Sequence, residues 1–359
     1  MIYILMFVVI ITTIIINVYT NGRLQKVFFW ADCFVLAIVA ALRYYVGLDY
    51  AGYMSIFRVA SRNDVHTDIE TISFLSEKIG VEKFFIFINM IFSKMGISGE
   101  FFIGIMSVFT VMVIGYVIYR MSPEPLMSIL VFYIISFLQM INLSRQYMAV
   151  AIVFLAVYML YKGKTLGYLI LILTASLVHS SALVGLVFII LKKWKFTYRT
   201  YFMYIGVAVA SYIMKDYVIR LIKRLGIYND LLTTNKSLKV FTVFPAVVIV
   251  FLLGIYLKNM DKNRINNILM HSVMIVFLIS FISLNIFYFS RISYYFMIFM
   301  VLFIPELLNT METFKERFIV VVGYVFMMGA IFINNATDNG NNYLPYDTVI
   351  EAVKNGFIK

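Results

Sequence analysis

Long runs of apolar residues, separated by polar segments, recur along this chain from end to end. A bilayer core about 30 Å thick is crossed by roughly 20 apolar residues of α-helix. The pattern therefore predicts an all-α, polytopic integral membrane protein with about 10–11 transmembrane helices in a single multispanning domain, 1–359. The runs lie at about residues 3–19, 27–42, 101–119, 126–141, 146–161, 166–190, 201–214, 240–257, 268–288, 293–309 and 318–334.

The polar segments between the runs indicate which side of the membrane each faces. Basic residues cluster at 23–26, 120, 162–164 and 258–264. The positive-inside rule places these segments in the cytoplasm, so the N-terminus faces outward. Because successive crossings alternate between the two sides of the membrane, the segment 43–83 is predicted to be a long outer loop. The apolar segment 84–95 is too short to cross and is predicted to be a helix in the outer interface.

The run 166–190 poses a topological problem, because Lys162 precedes it and Lys193 follows it, and both favour the cytoplasm. One arrangement is a re-entrant helical hairpin that turns near His179. Its arms of about 12 residues are too short to cross, so the turn would need shielding by protein or a water-filled cavity. The other arrangement is a single crossing with His179 near mid-depth, which moves the basic segment 215–239 to the cytoplasm.

Composition narrows the class of protein further. Hydrophobic residues make up 63% of the chain and charged residues only 13%, which excludes a soluble globular domain. The net charge of +12 is spread over short loops, so the positive-inside rule accounts for the basic residues. No nucleic-acid partner is predicted. Cys33 is the only cysteine, so neither an intrachain disulfide nor a cysteine metal cluster can form. The run 3–19 lacks a preceding basic residue and a small-residue cleavage site, which favours a retained helix over a signal peptide.

The first candidate site follows the second run, where Arg43 and Asp49 flank a glycine at position 47. An arginine fork binds phosphate oxygens through two parallel hydrogen bonds, and a carboxylate can take a proton from a sugar hydroxyl. Tyr50 and Tyr53 are candidates for stacking on sugar rings. The structural alternative is an Arg43–Asp49 pair that only fixes the loop to the end of the helix.

Two further arginines stand at predicted outer helix boundaries. Arg145 precedes Gln146 at the start of one run, and Arg291 lies four residues before Tyr295 at the start of another. Each arginine is either a phosphate ligand or an interface anchor whose charge reaches the lipid headgroups. Under the hairpin arrangement, all three arginines share the outer side of the membrane.

His179, followed by Ser180 and Ser181, places an ionisable side chain inside an apolar run. A lone histidine in a helix is usually a hydrogen-bonded packing residue. An ionisable group at membrane depth nevertheless marks a functional site by default, and imidazole suits proton transfer near neutral pH. No Gly-x-Ser-x-Gly elbow accompanies the serines, so a hydrolase triad is not indicated.

The sequence does not indicate a metal or a nucleotide. Acidic and histidine side chains alternate at Asp64, His66, Asp68 and Glu70, but their spacing matches no calcium loop, and a solvated loop explains them more simply. The chain has no Asp-x-Asp pair, no glycine-rich phosphate loop and no dinucleotide fingerprint. We therefore expect no metal and no cofactor.

Taken in order, these motifs resemble the EpsG family of bacterial polysaccharide polymerases, related in role to the Wzy O-antigen and capsule polymerases. The resemblance spans nearly the whole chain. Leu48 departs from it, because the family more often has a small hydroxyl residue there. The matching positions are Arg43, Gly47, Asp49, Tyr50, Tyr53, Arg145, Gln146, His179, Ser180, Ser181, Ala182, Leu183, Arg291, Tyr295, Pro305, Leu344, Pro345 and Tyr346.

The resemblance implies a glycosyltransferase that polymerises undecaprenyl-pyrophosphate-linked oligosaccharide repeats on the outer face of the bacterial cytoplasmic membrane. The product would be an O-antigen, a capsule or an exopolysaccharide. No nucleotide sugar, metal or cofactor is implied. The expected partners are the lipid-linked glycan, membrane lipid, and the flippase and chain-length regulator of the same pathway.

The same resemblance suggests a role for each candidate residue. Arg43, Arg145 and Arg291 would stabilise the charge that develops on the departing pyrophosphate. Either His179 or Asp49 would accept the proton of the attacking hydroxyl. We rank His179 higher, because it is the polar group that structure alone explains least.

Two other classes of function use the same residues. A flippase for lipid-linked oligosaccharides would hold its substrate with the same arginines, but it predicts basic residues along a passage and pseudo-symmetric halves, and the sequence shows no internal repeat. The other class is a structural partner in an export complex. If the chain has that role, polymer synthesis should continue when these residues are replaced.

Overall fold

A computed structural model describes residues 2–62, 68–214, 240–259, 266–283 and 289–356, together with Tyr217 and Arg220. Within these residues the chain forms 17 α-helices and no strand. Two 3₁₀ segments, Ser180–Val187 and Asn339–Asn341, complete the regular structure. The helices are α1 Ile2–Tyr19, α2 Gln25–Leu42, α3 Tyr50–Ala60, α4 Ile69–Ile79, α5 Lys83–Lys94, α6 Gly99–Met121, α7 Pro125–Asn142, α8 Ser144–Tyr161, α9 Thr165–Val178, α10 Phe188–Lys193, α11 Tyr198–Ile213, α12 Val240–Asn259, α13 Asn267–Ser283, α14 Phe289–Met297, α15 Met300–Asn309, α16 Phe314–Thr337 and α17 Val349–Lys354.

Six of these helices are long and apolar enough to cross a membrane: α1, α2, α6, α7, α8 and α16. A bent pair, Ser290–Met297 with Met300–Asn309, adds a seventh if the two halves form one span. Three shorter apolar helices also occur in the described residues, at Thr165–Val178, Val247–Lys258 and Asn267–Ser283. The predicted all-α multispanning class is confirmed. The count of 10–11 crossings stays a prediction.

The chain divides into two compact units. The first unit consists of Met1–Leu183 and Gly329–Lys359. In it, α7 and α8 are the most buried helices, and α6 packs against both α8 and α2. The contact between α2 and α6 is close, because a Cβ on Gly115 would lie 2.9 Å from the Cys33 Sγ atom. This close packing positions the C-terminal end of α2, where the first predicted site begins.

The second unit is Val184–Met328, and α13 packs there against α10, α11, α12, α14 and α15. Its buried histidine, His271, is fully bonded: Nε2 lies 3.0 Å from the Trp194 carbonyl oxygen and Nδ1 lies 3.1 Å from the Tyr204 hydroxyl. The imidazole also packs on the Trp194 ring at 4.8 Å. His271 is thus a structural histidine that joins the segment after α10 to α11 and α13.

The predicted outer loop is largely helical, because α3 and α4 lie within 43–83. Asp68 caps α4 by accepting a hydrogen bond from the Thr71 amide at 2.7 Å, and Gly80 ends α4 in the left-handed region at φ +69°. A helix, α5, covers most of the segment 84–95, and its predicted place in the outer interface stays a prediction. Phe85 and Ile86 are buried on one side of it, while Phe87 is exposed.

The run 166–190 does not form one continuous α-helix. Helix α9 ends at Val178, and His179 has an extended backbone at φ −151° and ψ 115°. The 3₁₀ segment Ser180–Val187 follows, and then α10. The break therefore falls at the residue where the hairpin was predicted to turn. The hairpin itself stays a prediction.

We predict that Lys193, replaced by cysteine in a Cys33→Ala background, faces the cytoplasm. The basic residues on either side of the run 166–190 favour that side for both ends. In intact cells, a membrane-permeant maleimide should label the residue and an impermeant one should not. Lys164→Cys is the control for a cytoplasmic position. Labelling of position 193 by the impermeant reagent would establish the single crossing instead.

Candidate functional site

Arg43 directly follows α2, and its side chain is buried with 1% of its surface exposed. One terminal nitrogen, Nη1, donates to the Ala40 carbonyl oxygen and to the Ser107 hydroxyl, the latter at 2.7 Å. The other, Nη2, donates to the Ser144 hydroxyl at 2.6 Å. One guanidinium thus joins α2, α6 and the first residue of α8.

The guanidinium of Arg43 has no acidic partner within the described residues, so the predicted pair with Asp49 does not form. Its Nε atom is buried without a hydrogen-bond partner, and so is the hydroxyl of Tyr50, whose ring lies 5.7 Å from the guanidinium carbon. A buried charge without a counter-charge costs several kcal/mol. The buried cation thus leaves one of its own donors and a neighbouring hydroxyl unsatisfied, and such groups call for an explanation.

The loop after Arg43 is held against α7 by a glycine. Gly47 has φ +91°, and a Cβ there would lie 3.1 Å from the Asn142 Cα atom. The side-chain oxygen of Asn142 accepts a hydrogen bond from the Asp49 amide at 3.1 Å. Gly47 therefore allows the backbone to turn and lets the loop lie close to Asn142 of α7. This arrangement places Asp49 at the start of α3.

The C-terminal segment fastens the same loop. Arg43 forms an isolated antiparallel bridge with Thr348, and the Tyr44 amide donates to the Asp347 carbonyl oxygen at 2.8 Å. The Gly47 amide donates to the Asn342 carbonyl oxygen, also at 2.8 Å. The Leu344–Pro345–Tyr346 motif, known from the sequence only as part of a resemblance, thus lies in a segment that supports the Arg43 loop.

Arg145, the second predicted arginine, lies in the first turn of α8 and forms an ion pair with Glu82. The other carboxylate oxygen of Glu82 accepts a hydrogen bond from the Ser180 amide at 2.6 Å. Next to Ser180, the His179 Nδ1 atom lies 2.8 Å from the Ser181 hydroxyl. Glu82 was not predicted as a site residue, yet it connects the arginine to the break at His179.

Glu82 is ionised in this environment. Burial alone would raise the pKa of its carboxyl, but the hydrogen bond from the Ser180 amide and the positive charge of Arg145 outweigh burial and bring the pKa below its usual range. The Phe85 ring lies 5.5 Å from the Arg145 guanidinium carbon and supports it from α5.

Tyr53 lies between the two arginines. Its hydroxyl accepts a hydrogen bond from the Arg145 amide at 3.4 Å. Burial, with the negative charge of Asp49, raises the pKa of Tyr53 to about 12, although the charges of Arg145 and Arg43 act in the opposite direction. The phenol therefore stays protonated at neutral pH.

The structure brings most of the predicted site residues into the first unit. Gln146 is buried there on α8, two residues from Ser144. The two other predicted residues, Arg291 and Tyr295, lie on α14 in the second unit, Arg291 partly buried and Tyr295 fully buried. Their membership of the same site stays a prediction. The predicted residues in the first unit are Arg43, Asp49, Tyr50, Tyr53, Arg145, Gln146 and His179.

No group of three or more potential metal ligands occurs in the described part of the chain. Of the alternating residues considered as a cation site, Asp68 is a helix cap and Glu70 is exposed in the first turn of α4. Asp64 and His66 lie outside the described residues.

The model of the EpsG family matches residues 26–348. The chain therefore belongs to the EpsG family, whose members are Wzy-type polysaccharide polymerases. The family match includes every predicted site residue, in both units. No curated protein and no solved structure matches this chain.

Replacing Gly47 by alanine should lower the free energy of unfolding by about 1–3 kcal/mol, because a Cβ is strained at this φ and crowds Asn142. Thermal unfolding in detergent measures the effect. Gly52→Ala is the matched control: no atom lies within 4 Å of a Cβ at Gly52, which is in α3. There alanine should be neutral or slightly stabilising. Equal melting temperatures for the two variants would contradict this role of Gly47.

Proposed function

We propose that this protein polymerises oligosaccharide repeat units carried on undecaprenyl pyrophosphate, at the outer face of the bacterial cytoplasmic membrane. Membership of the EpsG family supports polysaccharide polymerisation in general. The lipid-pyrophosphate donor is inferred from one observation above all: Arg43 is a buried cation without an acidic partner in the described residues, and its Nε atom is unsatisfied. A pyrophosphate headgroup would supply the missing negative charge.

In the proposed reaction, a hydroxyl oxygen of the acceptor repeat attacks the anomeric carbon of the growing chain. The bond between that carbon and the pyrophosphate oxygen breaks, and the bonding electrons leave with the pyrophosphate. The hydroxyl proton passes to a base on the protein. Charge develops on the leaving group during this step, so fixed positive groups beside it lower the barrier. Arg43 and Arg145 fill this role, with Arg291 as a third candidate.

His179 is our preferred base. Its ring is oriented by the contact between Nδ1 and the Ser181 hydroxyl. If Nδ1 carries the hydrogen and donates it to Ser181, the lone pair that accepts the proton in the reaction is the one on Nε2. The ionised Glu82 carboxylate, which interacts electrostatically with His179, would stabilise the imidazolium that forms. Asp49, at the start of α3, is the alternative base.

The first experiment supplies purified protein in proteoliposomes with a lipid-linked repeat unit and analyses the products by length. We expect a ladder of longer glycans. Arg43→Gln should reduce the rate by about 100-fold or more, the usual cost of losing one preorganised donor to developing charge. The matched control is Arg120→Gln, because Arg120 is an exposed arginine near the end of α6 that also bonds a hydroxyl, that of Tyr158.

Arg43→Lys is a second variant, in case Arg43→Gln fails to fold. It keeps the positive charge but loses the two guanidinium nitrogens that donate to Ser107 and Ser144. It should retain more activity than Arg43→Gln while remaining below the wild type. Equal ladders from the wild type and Arg43→Gln would refute the role of Arg43. Transport of the lipid across the vesicle without any ladder would refute the polymerase and favour a flippase.

His179→Gln should lower kcat and leave KM for the lipid-linked donor within about threefold, because a base acts mainly in the transition state. The wild-type rate should fall as the pH drops through the range in which imidazole gains a proton, and this fall should disappear in the variant. Ser181→Ala, which removes only the contact to Nδ1, should have a smaller effect. An unchanged pH profile in His179→Gln would transfer the role of base to Asp49.

A further inference from the structure

The carboxylate of Glu82 lies between two hydrogen-bond donors from separate parts of the first unit. One oxygen contacts the guanidinium of Arg145, in the first turn of α8. The other accepts from the Ser180 amide, just after the end of α9, at 2.6 Å. These partners are 63 and 98 residues away from Glu82 in the sequence. The two donors therefore converge on one small anionic group.

A guanidinium and a backbone amide that converge on one anion are also the donors that phosphoryl oxygens use. Like the carboxylate, a phosphoryl group presents two acceptor oxygens on one central atom. It carries more negative charge, and so it gains more from Arg145. The position of the Glu82 carboxylate thus has the chemistry of a phosphate subsite.

We propose that Arg145 and the Ser180 amide form a phosphoryl subsite that Glu82 occupies in the empty protein, and that the substrate displaces this carboxylate. The identity of the ligand as the pyrophosphate of a lipid-linked glycan rests on the proposed function. The subsite itself rests on the geometry around Glu82.

The surroundings allow Glu82 to withdraw without loss of structure. Glu82 is the residue before α5, but its side chain makes no capping hydrogen bond to that helix. It follows the left-handed Gly80 in the short connection from α4. The side chains of the ion pair are 16% and 19% exposed, so an incoming anion can reach them. Because the pair is in contact with solvent, its loss should weaken the fold only modestly.

Arg145, in contrast, is held in place independently of Glu82. Its amide is bonded to the Tyr53 hydroxyl, and its guanidinium packs over the Phe85 ring. The cation therefore keeps its position when its carboxylate partner leaves. Displacement also releases a carboxylate next to His179, which couples arrival of the pyrophosphate to the electrostatics of the proposed base.

Binding to the full-length protein in detergent tests this subsite without relying on catalysis. The probes are undecaprenyl pyrophosphate, inorganic pyrophosphate as the headgroup alone, and undecaprenol as the lipid without phosphate. Glu82→Gln removes the competing charge and should bind both pyrophosphate probes about fivefold more tightly. Undecaprenol should bind equally to both forms. If only undecaprenyl pyrophosphate binds more tightly, and inorganic pyrophosphate does not, the ligand is the lipid headgroup and not free pyrophosphate.

Three variants serve as controls. Glu77→Gln removes the same charge from an exposed position on α4 and should leave affinity within twofold of the wild type. Arg145→Gln should abolish the gain from Glu82→Gln when the two are combined, since the competition exists only at that arginine. Glu82→Asp keeps a shorter carboxylate and should give a smaller gain, which covers the case in which the glutamine variant misfolds.

Unchanged or weaker pyrophosphate binding in Glu82→Gln would overturn the proposal, because the carboxylate would then be irrelevant to the subsite or a part of it. Weaker binding in both Glu82 variants would overturn it in the same way. The proposed function fails separately: if the Glu82 variants show these shifts but the wild-type protein makes no glycan ladder, the subsite stands and the polymerase is refuted.

Discussion

The burial of the Arg43 charge is the constraint on which the first unit depends. A guanidinium with 1% exposure needs hydrogen-bond acceptors inside the protein, and its two terminal nitrogens find the carbonyl oxygen of Ala40 and the hydroxyls of Ser107 and Ser144. These bonds fix the C-terminal end of α2 to α6 and α8. They satisfy the terminal nitrogens, but they leave Nε without a partner and supply no negative charge. The proposed pyrophosphate substrate would supply that charge.

The positions of the long helices could be predicted from the sequence, because lipid requires continuous apolar segments that satisfy their own backbone. The runs 101–119 and 126–141 correspond to Gly99–Met121 and Pro125–Asn142. The helices of the outer loop were missed, since amphipathic segments such as α4 lack that signal. Asp68 and Gly80, which cap α4 at its two ends, were the available clues.

The candidate site was only partly predictable, for a related reason. Arg43, Arg145 and His179 stand out because a charge near hydrocarbon is costly and rare. Glu82 does not, because it lies in a polar segment where acids are common, and its partners are distant in the sequence. The hydroxyls that bind Arg43 are equally inconspicuous among apolar residues. A sequence reveals unusual residues in lipid more readily than the ordinary residues that complete their environment.

In the proposed function, the site of the first unit holds the lipid pyrophosphate. Photo-cross-linking followed by mass spectrometry tests it most directly, using an undecaprenyl pyrophosphate analogue with a photoreactive group beside the phosphates. We expect labelled peptides that contain Arg43, Arg145 and Ser180, and we expect unmodified undecaprenyl pyrophosphate to compete with the labelling. Specific labelling confined to other segments, with these peptides unmodified, would contradict it.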